Sequence, residues 1–237
     1  MWRVPEQSAL SGPIVSSSRP ITLLGGAKIS EPLLNTTLSL APTLVAVDGG
    51  ANGLVGSSRR PSAVIGDLDS LSDAARTEFA DLVYEFSEQE TTDFDKALRH
   101  VEAPLVIALG VSGGRLDHEL AGLNVLVRHA DRRCIALGPE TLTFVCPPFL
   151  RLELEPGCLV SLFPMRELGV ETEGLQWPTR GLRLSAMGRV GTSNAATGPV
   201  TLAPDAPGLL VILPTAALSA VSRALLADGS GSWPPAA

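Results

Sequence analysis

Four apolar runs in the first half of the chain each stop at a glycine or an acid, and this pattern constrains the fold more than any other feature. Ile21–Leu24 ends in Gly25-Gly26, Thr43–Val47 in Asp48-Gly49-Gly50-Ala51-Asn52, and Ala63–Ile65 in Gly66-Asp67-Leu68-Asp69-Ser70. Pro104–Leu109 ends in Gly110, with Gly113-Gly114-Arg115-Leu116-Asp117-His118 close behind. Continuous rather than alternating apolar character belongs to parallel strands buried on both faces. Helix signals lie between the runs. Ser30-Glu31-Pro32 puts an acid and a proline in a first turn, and Leu71–Phe79 reads as helical. Thr92 is placed to cap a helix opening Asp93-Phe94-Asp95-Lys96, and Leu120, Leu123 and Val127 continue another. Strands alternating with helices give an α/β domain, and open sheets of that kind bind ligands beyond the carboxyl ends of their strands.

The residues at those ends share one chemistry. Asp67 and Asp69 are two apart, and if the chain stays extended there both carboxylates face one spot. Paired hard oxygens suit Mg²⁺, which takes one or two carboxylates and leaves positions for phosphate oxygens. Glycines after a strand let backbone approach a phosphate, as Gly25-Gly26, Gly49-Gly50 and Gly113-Gly114 would. Asp93 and Lys96 are three apart and share a helical face. Each stretch has a plain structural explanation, such as a solvated turn, a capping acid or an exposed ion pair. Their recurrence at strand after strand points to a metal–phosphate site.

The rest of the composition narrows the class. A length of 237 residues fits one large domain or two modest ones, and 45% apolar residues suffice for a core. No apolar run is long enough for a membrane helix, and the polar, proline-broken start Met1–Glu6 is unlike a signal peptide, so we expect a cytoplasmic protein without a membrane partner. A net charge of −7 argues against nucleic acid but leaves room for a nucleotide neutralised by a metal. Lys28 and Lys96 are the only lysines. Cys134, Cys146 and Cys158 have no metal-knuckle spacing and read as small buried residues. Of the three histidines, His100, His118 and His129, only His118 falls in a motif.

From about residue 141 the texture changes to short strand-like runs, Leu142–Val145, Leu150–Leu154, Leu159–Phe163 and Leu209–Leu213, separated by Pro and Gly. That is the signature of an all-β domain. We therefore expect an α/β domain over 1–140, with 1–19 a loose lead-in, an all-β domain over 141–227, and a frayed tail over 228–237.

The ordered set Asp48-Gly49-Gly50-Ala51-Asn52, Gly66-Asp67-Leu68-Asp69-Ser70, Thr92-Asp93 with Lys96-Ala97-Leu98, and Gly113-Gly114-Arg115-Leu116-Asp117-His118 resembles the thiamine pyrophosphokinase family. Gly174-Leu175-Gln176-Trp177 and Gly191-Thr192-Ser193-Asn194 extend the likeness over roughly residues 20–215. The resemblance implies a Rossmann-like parallel-sheet domain followed by a C-terminal β-sandwich, and a homodimer with the thiamine site shared between subunits. It implies that ATP and thiamine give thiamine diphosphate and AMP, with Mg²⁺. Glu90 stands where the family usually has Asp, and Gly122 where an Asn commonly follows the Asp-His pair. Asn124 lies about 200° further round a helix and is no simple replacement.

On that resemblance we assign Asp67, Asp69 and Asp93 to Mg²⁺, with Asp48 and Asp117 completing the catalytic acids. Gly49, Gly50, Asn52, Ser70, Lys96, Gly113, Gly114, Arg115 and His118 fall to ATP, and Gln89, Thr192, Ser193 and Asn194 to thiamine. Asp117 holds either Arg115 or a ligand hydroxyl, and the general base stays open. Two alternatives compete: a pyrophosphokinase for another alcohol such as a pterin, and a non-catalytic nucleotide sensor. The complete acid set argues against the sensor, because binding a polyanion rarely calls for so many carboxylates.

Overall fold

A computed structural model describes residues 12–235. Backbone contacts divide the chain into two compact units, the first ending at Gly122 and the second starting at Leu123.

The first unit is built on a parallel sheet. Its elements are β1 (Val15–Ser16), β2 (Ile21–Leu24), α1 (Glu31–Leu40), β3 (Thr43–Val47), β4 (Ala63–Gly66), α2 (Asp73–Glu78), β5 (Val83–Glu85), α3 (Asp93–Arg99), β6 (Val101–Glu102), β7 (Val106–Leu109) and the start of α4 (Leu116–Arg128). The strand order in this unit is β7-β2-β3-β4-β5, every pair parallel. Ile21, Leu23, Val45, Ile65 and Ile107 are fully buried, as their unbroken apolar runs require. The caps are local: Ser72 Oγ accepts from the Ala75 N–H at 3.2 Å and Thr92 Oγ1 from the Asp95 N–H at 3.3 Å. The helix after Leu71 starts later than its apolar pattern suggests, because Ser72 caps it.

Two expectations for the ends of the chain need correction. The lead-in over 1–19 is not loose where it is described: Ile14 N–H donates to His100 O at 2.7 Å, and β1 pairs in parallel with β6. Residues 1–11 lie outside the described residues, as do Ala236 and Ala237 of the tail. The described part of the tail is held too. Ser230 is buried with its hydroxyl 3.0 Å from Ala227 O, and the Trp233 indole N–H donates to Cys146 O at 2.8 Å.

The second unit carries the end of α4, then β8 (Cys134–Leu137), β9 (Thr141–Val145), β10 (Leu150–Leu152), β11 (Leu159–Pro164), β12 (Leu168–Leu175), β13 (Arg183–Leu184), β14 (Gly191–Pro204), β15 (Leu209–Pro214) and α5 (Leu218–Leu226). The division at Gly122 precedes the expected boundary near 138–141 because β8 and β9 are an antiparallel hairpin. What reads as a linker is its turn, closed by Gly138 N–H donating to Thr141 O at 2.8 Å. Strands β8, β9, β15, β11 and the first part of β14 form one antiparallel sheet, whereas the later part of β14 pairs with β12 and β10. One long strand thus serves two layers, the device by which a sandwich turns a corner. Helix α5, absent from the strand-only reading, buries Leu218, Val221 and Leu225 at helical spacing. The whole is an α/β plus β-sandwich architecture.

Candidate functional site

In the first unit the carboxyl ends of the strands open into a cleft of about 650 Å³. Its lining comes from the segments after β2, β3, β4 and β7 and from the start of α3. Close backbone approach at its floor requires glycine. A Cβ on Gly50 would lie 1.9 Å from Leu24 O, and one on Gly66 would lie 2.7 Å from the Asp48 Cβ.

Asp48, Asp67 and Asp93 each offer a carboxylate oxygen within 4.8 Å of the others. Asp48 sits at φ +43°, a conformation Asp tolerates better than most residues, which turns it out of β3 at the strand's end. It is buried, and its Oδ1 has no hydrogen-bond partner. Burial pushes its carboxyl up; the Gly49 N–H opposes this, and the charges of Asp93, Asp69 and Asp67 add to it. For Asp67 burial also acts upward but is outweighed. The Asp69 N–H, the Gln89 amide and the Lys96 ammonium together hold its carboxyl below the usual range. Asp93 Oδ1 accepts from the Asp67 N–H and from Lys96 Nζ, both at 3.0 Å. Lys96 is only 1% exposed and also lies 3.7 Å from Asp67 Oδ2. Three converging hard oxygens, one of them a buried acceptor without a donor, fit a divalent cation.

This arrangement corrects the pairing of Asp67 with Asp69. Strand β4 ends at Gly66, and the intervening Leu68 has φ +66°, so the chain is not extended there. Asp69 lines the cleft, but its Oδ1 accepts from the Ser70 hydroxyl at 2.9 Å and it stands outside the three-carboxylate cluster. Leu68 takes this conformation because its side chain is buried, a tertiary demand that periodicity does not reveal.

The remaining sites divide. Gly49, Ser70, Gly114, Arg115 and His118 line the cleft. Asn52 instead staples two loops, its Nδ2 donating to Ser70 O and its Oδ1 accepting from the Ser72 N–H, both at 2.8 Å. Gly50 packs beneath the cleft against β2. Gly113, at φ +83°, belongs to the turn before α4. Asp117 is exposed and holds Arg115, with Nη2 to Oδ2 at 2.6 Å. Gln89 donates to Asp67 Oδ2 at 3.3 Å. Glu90 is exposed and does not join the carboxylate cluster. Gly122 lines the cleft, whereas Asn124 is exposed elsewhere on α4. Gly25, Gly26, Thr91 and Thr92 also line the cleft but had no place among the ligand residues. The strand-then-glycine signal was present for the first two.

In the second unit, Thr192 and Ser193 are exposed on β14, Ser193 at φ +61°. Asn194 is buried and committed to its own protein. Its Oδ1 accepts from the Trp177 and Ala195 N–H groups at 3.1 and 2.9 Å, and its Nδ2 donates to Trp177 O at 2.7 Å. Trp177, clasped at its backbone in this way, is 57% exposed.

An α/β unit whose strand ends gather three carboxylates, a buried lysine and glycine-walled space belongs to the class of folds that could hold a cation together with a polyanion. Comparison with known proteins adds what the chain is similar to. Residues 34–137 match the family described as "Thiamin pyrophosphokinase, catalytic domain". "Thiamine pyrophosphokinase 1" of Arabidopsis thaliana is 28% identical over 155 residues, covering 57% of this chain and 58% of the relative. "Thiamine pyrophosphokinase 1" of Oryza sativa subsp. japonica is 29% identical over 157 residues, covering 57% and 59%. The chain thus spans less than two thirds of these curated relatives. Among solved structures, thiamin pyrophosphokinase from Candida albicans aligns with a TM-score of 0.72 at 16% identity, covering 86% of this chain and 95% of that one. The yeast enzyme aligns at 0.71 and 19% identity, covering 95% and 97%. These structures share the fold. The resemblance carried by the motifs and these comparisons agree on the thiamin pyrophosphokinase family.

Proposed function

We propose that this protein transfers the pyrophosphoryl group of ATP to the hydroxyl of thiamine, giving thiamine diphosphate and AMP. The observation that carries the reading is the Asp48–Asp67–Asp93 cluster at the strand ends of a segment matching the thiamin pyrophosphokinase catalytic domain. These three carboxylates would hold Mg²⁺, which when bound neutralises charge on the phosphates and on the departing AMP. Lys96 offsets part of the repulsion among the acids and fixes Asp93. Arg115, oriented by Asp117, brings a cation to the cleft wall, and Gly26, Gly49 and Gly114 leave space for phosphate oxygens. Phosphoryl-type transfer depends chiefly on positioning and charge neutralisation, which these groups supply.

Thiamine would meet the exposed Trp177 ring and the Thr192–Ser193 edge, with Asn194 acting by holding Trp177 in place. A Rossmann-like description of the first unit, a homodimer sharing the thiamine site and a cytoplasmic location belong to the same reading. Among the described residues no helix is long and apolar enough to cross a membrane. The purified protein, incubated with ATP, Mg²⁺ and thiamine, should release AMP in step with thiamine diphosphate. Release of ADP, or AMP formation indifferent to thiamine, would overturn the reading.

A further inference from the structure

Glu88 lies outside the cleft lining, yet it organises the segment that carries residues into it. Its carboxylate accepts from the Glu90 and Thr91 N–H groups at 2.9 and 3.0 Å and from the Thr91 hydroxyl. Arg99, near the end of α3, donates through Nη2 to both Glu88 Oε1 and Thr91 Oγ1 at 3.0 Å. Its Nε lies 3.1 Å from Asp95 Oδ1, on a residue that is fully buried in the same helix. A line of charge-assisted bonds thus runs from the interior of α3 through Arg99 to the backbone ahead of that helix. Between the anchored residues, Gln89 donates to Asp67 Oδ2, Thr92 caps α3, and Asp93 opens it.

We propose that Glu88 and Arg99 are positioning residues that lock Gln89–Thr92, so that the Gln89 amide and the Asp93 carboxylate converge on Asp67. The inference rests on reading the three-carboxylate cluster as a cation site. Ahead of Thr92, whose carbonyl accepts the Lys96 N–H at 3.0 Å, Glu88–Thr91 belongs to neither strand nor helix, so side-chain bonds fix it. Glu88 supplies the fixed acceptor: chiefly the Thr91 hydroxyl, and then the two N–H groups, draw its carboxyl down to about 2. It therefore stays ionised throughout the ordinary working range of pH. Arg99 matters for its fork, which spans three oxygen acceptors at once, something a lysine ammonium on a flexible stem does poorly.

The test uses Glu88→Gln, Arg99→Met and Arg99→Lys in the full chain, with Arg60→Met, which breaks the exposed Arg60–Asp81 pair, as control. Three quantities are read on protein shown to be folded by circular dichroism. They are amide exchange at Glu90 and Thr91, Mn²⁺ affinity by electron paramagnetic resonance, and affinity for a fluorescent ATP analogue in EDTA. Exchange at the two amides should rise roughly tenfold or more in Glu88→Gln and Arg99→Met. Mn²⁺ affinity should fall about tenfold, on the scale seen when partners that orient a ligand are lost. Metal-free nucleotide binding should change little, because the glycine loops after β2 and β7 are untouched. Arg99→Lys should recover only part of the loss, and Arg60→Met should match wild type. If Glu88→Gln does not fold, the Arg99 pair decides.

Unchanged Mn²⁺ affinity, full recovery in Arg99→Lys, or equal losses in metal and metal-free nucleotide binding would each overturn the inference. AMP formation by the wild type tests the proposed reaction separately. A wild type that binds Mn²⁺ and shows the loop effects but makes no AMP removes the reaction and supports the clamp. A wild type that binds no Mn²⁺ removes the clamp's purpose and overturns it.

Discussion

Lys96→Met separates a lysine that balances the carboxylate cluster from one that merely fills the core. Methionine keeps most of the buried hydrocarbon, so the change isolates the ammonium. Lys96 Nζ lies 3.0 Å from Asp93 Oδ1 and 3.7 Å from Asp67 Oδ2, and the lysine side chain is 1% exposed. Removing one member of a buried ion pair costs about 3–5 kcal/mol. Here the carboxylate side chains keep 14% and 26% exposure, and Asp93 retains the Asp67 N–H, so the lower figure of about 2–3 kcal/mol for losing charged hydrogen bonds applies. The mutant leaves three carboxylates without a counter-charge and should therefore bind Mg²⁺ more tightly than wild type. Cation at about 100 times its dissociation constant adds roughly 2.7 kcal/mol to the folded state that binds it. The stability gap should accordingly shrink to less than about 1 kcal/mol when Mg²⁺ is added at a level that saturates the mutant but not the wild type. Because the chain has two compact units, the gap is best read from urea-dependent amide exchange in β4 and α3. A gap of the same size with and without Mg²⁺ would refute the counter-charge reasoning.

Three further outcomes follow from the same geometry. Asp67→Asn should lower thiamine diphosphate formation roughly 10²-fold or more, the scale of one preorganised electrostatic group, with Asp69→Asn weaker because it stands outside the cluster; steady-state turnover checks the order. Burial lifts the Asp48 carboxyl above its ordinary 3.8, so as pH rises through that window the unfolded chain loses its proton first and metal-free stability falls; Asp48→Asn should flatten that slope and stabilise the metal-free protein near neutrality while abolishing turnover, as thermal melts in EDTA and activity assays would show. Asn194→Ala removes three hydrogen bonds around Trp177 and should cost about 1–3 kcal/mol of stability in the second unit while raising KM for thiamine more than KM for ATP; an unchanged melt would mean that the amide is not structural.

What could be read from the sequence was local, and what could not was tertiary. The buried strands of the first unit were legible because parallel strands covered on both faces leave continuous apolar runs; Ser30-Glu31-Pro32 marked one helix start by its acid and proline, and Thr92 marked another by its cap. The acids were also legible as a group. Their partnership was not: Asp67 meets Asp48 and Asp93 rather than Asp69, since Leu68 leaves the extended region to bury its side chain. Asn52 and Asn194 sit inside ligand-like motifs but spend their amides on neighbouring backbone, and no spacing rule separates those uses. Helix α5 was missed because it starts only four residues after the strand run ends at Pro214, with no side-chain cap to announce it. The turn at 138–141 looked like a linker because a hairpin turn and a domain boundary share the same residues.

Strand β14 has a consequence for how the second unit comes apart. Residues 191–195 pair with β11, and residues 196–204 pair with β12, along one uninterrupted backbone. Neither layer can melt without freeing an edge of the other, so the unit should lose its protection as a single cooperative block rather than sheet by sheet. A proteolytic nick within 196–199 would therefore propagate to both layers, whereas a nick in the exposed stretch near Met187 would spare them.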